Sequence, residues 1–168
     1  MRKLLAFVVA ALVFSFSGCS SKSAQADEST ASAPAEKMVS AYLVGSYVDA
    51  ESAQAKLKEA GFDVLAAYEV DKKGDYVSVV FTNDAMKSAA SKPNRGFAAV
   101  LRLLVNSEKK EIRITNPVYF GKAFMQDDFD YQAAVAIEKS LSSAFGELTG
   151  SEDKWEFDAL ADYHFMMG

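Results

Sequence analysis

The residues best suited to bind a metal or a cofactor lie at the end of the chain. His164 is the only histidine, and Met166 and Met167 follow it closely. Imidazole and soft thioether ligands suit Cu(I), and His and Met are also axial ligands of haem. One interpretation is therefore a metal- or haem-binding protein. The other is that the tail packs through its apolar neighbours Tyr163 and Phe165, or frays.

Two arginines are the candidates for binding an anion. Arg102 and Arg113 lie in the stretch 96–116, which has the pattern of a β-hairpin. Because Arg offers a planar fork of hydrogen-bond donors, two arginines on one uncovered sheet face could recognise an anion or an acidic partner. The alternative is that both are solvated strand residues that pair with Glu111, an arrangement that adds little to stability.

The acids Asp127, Asp128 and Asp130 have the spacing of the start of a calcium-binding loop. Counting from Asp128, however, the sixth position is Ala133 and the twelfth is Lys139, where an EF-hand needs Gly and Glu. Acidic side chains are also favourable at the positive end of a helix dipole. We therefore interpret the cluster as the start of the last long helix.

The sequence carries no Gly-rich phosphate loop, no HExxH and no Gly-x-Ser-x-Gly. A Ser-His-Asp arrangement would need His164, which is poorly placed near the chain end for a preorganised base. An enzyme that uses only carboxylates and arginines would need a deep pocket with acids of perturbed pKa. We assign no catalytic residue and no cofactor, and enzymatic activity stays open but is not favoured.

Residues 1–18 have the pattern of a secretory signal. Arg2 and Lys3 precede an apolar run over 4–16, and this run is too short for a comfortable membrane span. Loss of these two basic residues would change the net charge of the chain from −5 to −7. An acidic domain is a poor match for nucleic acid or for anionic lipid headgroups. We therefore expect no nucleic acid partner.

The signal ends in Phe16-Ser17-Gly18-Cys19, which resembles the lipobox of bacterial lipoproteins, with Phe where that class prefers Leu. The resemblance implies cleavage before Cys19 and a lipid on its sulfur. Ser20 rather than Asp follows, which implies an outer-membrane location facing the periplasm in a Gram-negative organism. The alternative is an ordinary signal peptide with a stray cysteine. Since Cys19 is the only cysteine, a mature domain anchored by it has no disulfide and no thiol nucleophile.

Residues 20–37 are rich in Ser and Ala and contain no aromatic or large aliphatic residue. Such a segment cannot bury enough apolar area to offset its ordering entropy. We expect residues 19–37 to form a lipidated cysteine and a disordered tether, with a reach of about 20–25 Å. Residues 38–168 have the length of a single domain.

Within that domain, caps and apolar spacing predict the elements. Asp49 and Asn83 are N-cap residues, Gly61 is a C′ residue, and Pro117 suits the first turn of a helix, although 118–124 also fits strand alternation. The predicted elements are a strand over 39–48, a helix over 50–60, strands over 62–70 and 76–82, a short helix over 83–91, the hairpin, a short helix over 117–125 and a long helix from Asp127 or Asp128 to Gly146 or Gly150.

The hairpin register follows from its apolar alternation. A loop over 107–110 gives one continuous apolar face, whereas a slip of one residue would exchange the two faces of every partner. On this register Arg102, Leu104 and Arg113 lie on the opposite face. The predicted pairs are Asn106 with Glu111, Val105 with Ile112, and Leu103 with Ile114.

The order of elements predicts an α+β fold, an antiparallel sheet with helices on one face and a short helical insertion between the third and fourth strands. The run Gly61-Phe62-Asp63-Val64-Leu65, the strand from Tyr76 to Thr82-Asn83 and the segment Pro93–Gly96 resemble the bacterial "domain of unknown function 302" (DUF302) family, over about 38–146. The resemblance implies the order β-α-β(4)-α of the TATA-binding-protein-like type.

Many members of that family carry a Cys-Asn-Pro and a Pro-Cys, and this chain has Thr82-Asn83-Asp84 at the first place and no Pro or Cys within 96–100 at the second. No thiol or metal role therefore transfers. We expect a lipid-anchored envelope protein that acts as a binding or interaction module. Its expected partners are the membrane, through Cys19, and an envelope protein or a small anionic ligand. A bare edge strand would favour a homodimer.

Overall fold

The computed structural model describes residues 33–162, which form an α+β fold with four helices, a six-stranded antiparallel sheet and a two-stranded ribbon. The predicted fold class is confirmed. The elements are β1 (Met38–Ser40), β2 (Tyr42–Ser46), α1 (Ala50–Glu59), β3 (Asp63–Glu69), β4 (Tyr76–Thr82), α2 (Asp84–Ala89), β5 (Leu101–Asn106), β6 (Glu111–Thr115), α3 (Pro117–Met125), α4 (Tyr131–Phe145), β7 (Thr149–Gly150) and β8 (Lys154–Glu156).

The large sheet has the strand order β3-β4-β5-β6-β2-β7, and each neighbouring pair is antiparallel. The hairpin of β5 and β6 has the predicted register, with Leu103 opposite Ile114 and Asn106 opposite Glu111. The short helix α2 lies between β4 and β5, as predicted for the insertion. The hairpin is therefore central in the sheet, and β3 lies at an edge.

The helices α1 and α4 cover one face of this sheet. Leu57 of α1 and Leu141 of α4 are fully buried in the same cluster as Leu103 and Ile114. These contacts form the main core of the domain. Burial of each large aliphatic side chain contributes about 1.5–3 kcal/mol to its stability. The remaining buried members of the cluster are Leu43, Ala53, Phe62, Val79, Phe81, Met86, Leu101, Val105 and Ile112.

Polar caps define the helix ends as the sequence predicts. The side chain of Asp49 accepts a hydrogen bond from the Ser52 amide at 2.9 Å, and Asn83 accepts one from the Met86 amide at 2.8 Å. Each bond satisfies a backbone donor that has no partner within the helix. Gly61, just past α1, has a φ of 85°, a conformation that glycine adopts at little cost.

Two predicted boundaries are wrong. The first strand is interrupted at Ala41, whose amide donates to the Asp153 carbonyl at 2.7 Å, so β1 and β2 belong to different sheets. The helix α4 begins at Tyr131 with Asp130 as N-cap. Asp127 and Asp128 instead lie in a 3-10 turn, Gln126–Asp128. Asp128 cannot act as the cap because its carboxylate binds two basic side chains of another segment.

A second, smaller core lies under the ribbon of β1 and β8. Val39 of β1 packs there with Phe157 and Leu160, which follow β8. Phe157 and Leu160 are thus buried, whereas Trp155 is 45% exposed. Of the predicted tether, residues 33–37 belong to the described part, and the Lys37 carbonyl accepts a hydrogen bond from the Phe157 amide at 2.8 Å.

Candidate functional site

Four of the residues singled out in the sequence lie outside the described residues. These are Cys19, at the predicted lipobox, and His164, Met166 and Met167, at the predicted metal or haem site. Within 33–162 no group of three or more His, Cys, Asp or Glu residues is placed to hold a metal ion. In the same range no helix is both long and apolar enough to cross a membrane.

The two arginines both lie on the sheet face that α1 and α4 leave uncovered. Arg102 of β5 is opposite Val80 of β4, and Arg113 of β6 is opposite Leu104. Since residues opposite each other in a sheet point to the same face, the registers define rows that cross the strands. One row contains Tyr68, Ser78, Leu104, Arg113 and Val44.

This open face forms a groove with a volume of about 500 Å³. That volume lies within the usual range for small-molecule sites, about 300–1,000 Å³. Its chemistry is mixed, with two cationic forks, two phenol rings, two hydroxyl groups and two aliphatic side chains. The lining residues are Tyr42, Tyr68, Val70, Ser78, Arg102, Leu104, Arg113 and Thr115.

Arg113 is held by acidic neighbours. Its Nε donates to Glu111 Oε1 at 2.8 Å, and the side chains of the pair are 33% and 21% exposed. The hydrogen bond to Glu111 is the largest cause that raises the pKa of Arg113, and the charge of Asp153 adds to it. The predicted pairing with Glu111 is therefore correct for Arg113, whose charge is largely compensated within the protein.

Arg102 is in a different electrostatic position. It is exposed, and its backbone amide donates to Thr115 Oγ1 at 2.9 Å. Among residues 33–162, no carboxylate lies within ion-pair distance of its guanidinium. The predicted pairing with Glu111 is thus wrong for Arg102, because the acid is on the same strand as Arg113 and already bound to it. Arg102 is the uncompensated cation of the groove.

The groove also contains polar and aromatic groups that sequence reasoning missed. Ser78 is buried at the floor between Tyr68 and Leu104, and the described residues offer its hydroxyl no hydrogen bond. Tyr68 is 50% exposed and Val70 is 58% exposed. Side-chain alternation in the sequence could assign Ser78 and Tyr68 each to one face of its own strand. It could not show that these strands lie beside the strand that carries Arg102.

A second cavity lies among the helices rather than on the sheet. It has a volume of about 90 Å³ and is lined mainly by apolar side chains of α2, α3 and α4, such as Met86 and Phe124. At its rim, Asp128 binds Lys92 at 2.8 Å and Arg95 at 3.0 Å. The hydrogen bond from Lys92 is the main cause that lowers the pKa of Asp128. The cavity is small and its charges are mutually paired, so the groove is the stronger candidate for a site.

The chain matches no protein-family model, no curated protein and no solved structure. The resemblance to the DUF302 family and the resemblance to the lipobox therefore stay predictions. What the molecule does has to be argued from the groove itself.

Proposed function

We propose that this protein is a lipid-anchored binding module of the bacterial cell envelope, and that the open face of its large sheet is the binding surface. The observation that carries the proposal is the groove, in which an uncompensated Arg102 lies beside exposed Tyr68 and Val70. Contiguous exposed apolar patches mark interaction sites in many proteins, and an exposed arginine beside one offers hydrogen-bond donors to an anionic group.

The anchoring part of the proposal rests on Phe16-Ser17-Gly18-Cys19 and the Ser- and Ala-rich segment 20–37. A tether that carries no recognition elements of its own leaves contact with other molecules to the domain. The resemblance to the DUF302 family is part of the same proposal, and the order β2-α1-β3-β4-β5-β6-α4 supports β-α-β(4)-α if α2 and α3 are counted as added helices.

The anchor is tested with Cys19→Ser. We expect this variant to leave the membrane fraction and appear as a soluble, folded domain, because only the lipid connects the two. Membrane pelleting after a high-salt wash, compared with wild type, is the measurement. A variant that still pellets would contradict the lipoprotein assignment. The absorption spectrum and metal content of the purified protein test the competing assignment of His164, Met166 and Met167 to a metal or haem.

The binding surface is tested with the double variant Arg102→Glu/Arg113→Glu. The matched control is Lys72→Glu/Lys139→Glu, which makes the same charge change at two exposed positions outside the groove. We expect the groove variant to lose what co-purifies with the wild type, and the control to keep it. Thermal melts establish that both variants are folded, because reversal at Arg113 breaks its partly buried pair with Glu111. A folded groove variant that keeps the same partners would rule out the open face.

A further inference from the structure

We propose that the groove binds a small aromatic monoanion, with its single anionic group at Arg102 and Ser78 and its ring on Leu104, Tyr68 and Val70. This inference rests on the proposed function, because it names the ligand class of the same surface. In the groove, the charged side chain of Arg102 lies near the apolar surfaces of Leu104, Tyr68 and Val70.

The anionic end is defined by two adjacent strands. Val80 is opposite Arg102 and Ser78 is opposite Leu104, so Ser78 and Arg102 are diagonal neighbours on the same face. Diagonal neighbours in an antiparallel pair are about 7–8 Å apart at their Cα atoms. One anionic group can therefore contact both the long side chain of Arg102 and the short side chain of Ser78. A carboxylate or sulfonate there would accept from the guanidinium and from the Ser78 hydroxyl together.

The charge count limits the ligand to one negative group. Arg113 is already compensated by Glu111, and Glu152 and Asp153 lie close by in the adjoining depression that Arg113 also lines. A ligand with two or more anionic groups would place the second near these carboxylates, where like charges repel. The whole chain has a net charge of −5, which further disfavours an acidic protein surface as the occupant.

The apolar end calls for a flat ring. Tyr68 of β3 and Val70, which directly follows β3, line the groove together with Leu104 of β5, and Ser78 of β4 lies between Tyr68 and Leu104. Tyr68 and Val70 are about half exposed, so a ring bound over them would remove apolar surface from water. A long acyl chain would extend past this floor toward the charged pair of Arg113 and Glu111.

Two fluorescent probes with one ring system separate the two ends of the site. The anionic probe is 8-anilinonaphthalene-1-sulfonate, and the neutral probe is N-phenyl-1-naphthylamine, which lacks only the sulfonate. Both are titrated into the full chain and into variants, with thermal melts to establish that each variant is folded. We expect the anionic probe to bind the wild type at least about tenfold more tightly, since a hydrogen-bonded charge contributes about 1.5–3 kcal/mol.

The variants assign that difference to residues. Arg102→Gln should weaken the anionic probe about tenfold and leave the neutral probe within about twofold. Lys139→Gln, which removes an exposed cation outside the groove, is the matched control and should change neither by more than about threefold. Leu104→Ser should weaken both probes, because it removes the floor under the ring.

Three results would overturn the inference. Equal affinity of the two probes, or an anionic affinity that Lys139→Gln reduces as much as Arg102→Gln, would remove the monoanion while leaving the groove as a binding surface. Unchanged affinity of both probes in Leu104→Ser would show that they bind outside the groove and would overturn the assignment. Binding of neither probe, together with partners that resist Arg102→Glu/Arg113→Glu, would remove the proposed function as well.

Discussion

The two faces of the large sheet differ in composition more than any other two regions of the molecule. On the helix-covered face, β4, β5 and β6 contribute only large apolar side chains, and Val79, Leu103 and Ile114 are completely buried. On the open face the same three strands contribute Ser78, Arg102 and Arg113. Alternate residues of each strand thus meet different requirements, apolar packing on the covered face and contact with solvent on the open face.

The difference indicates which residues are there for folding and which are not. Apolar contact with α1 and α4 suffices to explain every side chain of the covered face. Neither core packing nor an ion pair explains Tyr68, which is 50% exposed, or Arg102, which has no ion-pair partner among residues 33–162. Substitutions on the two faces should therefore have opposite profiles, with large effects on stability on one and effects on binding on the other.

The largest expected effect is from truncation on the covered face. Leu103→Ala and Ile114→Ala should each reduce the free energy of unfolding by about 2–4 kcal/mol, because both leave a cavity in a fully buried site. Leu104→Ala, the neighbour on the open face, is the control and should cost clearly less. Urea denaturation of the three variants is the measurement. Similar losses at Leu103 and Leu104 would contradict the division between the faces.

A smaller effect is expected from added volume at Gly45. A Cβ at this position would lie 2.7 Å from Leu148 Cδ2 and 3.3 Å from Ile112 Cγ1, on the covered face. Gly45→Ala should cost about 1 kcal/mol, since the end of the Leu148 side chain and the fully buried Ile112 must both shift. Ser46→Ala, next in the strand and on the open face, should stay within about 0.5 kcal/mol. Thermal unfolding midpoints of both would show whether the covered face tolerates overpacking.

The smallest effect concerns the two arginines. Arg113→Gln should reduce stability by about 0.5–1 kcal/mol because it breaks the partly buried pair with Glu111, whereas Arg102→Gln should have almost no effect. The Arg113 effect should shrink as salt is raised, since partly exposed charges are screened. Urea midpoints at low and high salt measure this. If Arg102→Gln cost as much as Arg113→Gln, Arg102 would have an intramolecular partner after all.

Local features were the predictable part of the fold. The caps Asp49 and Asn83 and the hairpin register could be derived because each depends on residues close in sequence. Strand order could not, since β2 is placed between β6 and β7 by contacts that are far apart in the chain. No sequence feature marks the separation of β1 from β2 at Ala41, because a continuous apolar run is equally compatible with one strand and with two strands in different sheets.

The same limit applies to the site. The sequence placed Arg102 and Arg113 on one face, and the structure confirms that placement. The predicted register already places Glu111 two residues from Arg113 and far from Arg102, but only the side-chain geometry shows that the pair with Arg113 forms. Tyr68 and Ser78 were missed because their strands join the site only through the pairing of β4 with β5.

The ribbon of β1 and β8 has a mechanical consequence. In the tethered arrangement that we propose, a pull from the membrane reaches the fold at Lys37 and acts first on β1. That strand is joined to β8 by a ladder of three residue pairs, whereas β2 is flanked by β6 and β7 on its two sides. Under load the ribbon should open before β2 moves, which would lengthen the tether while the groove keeps its shape.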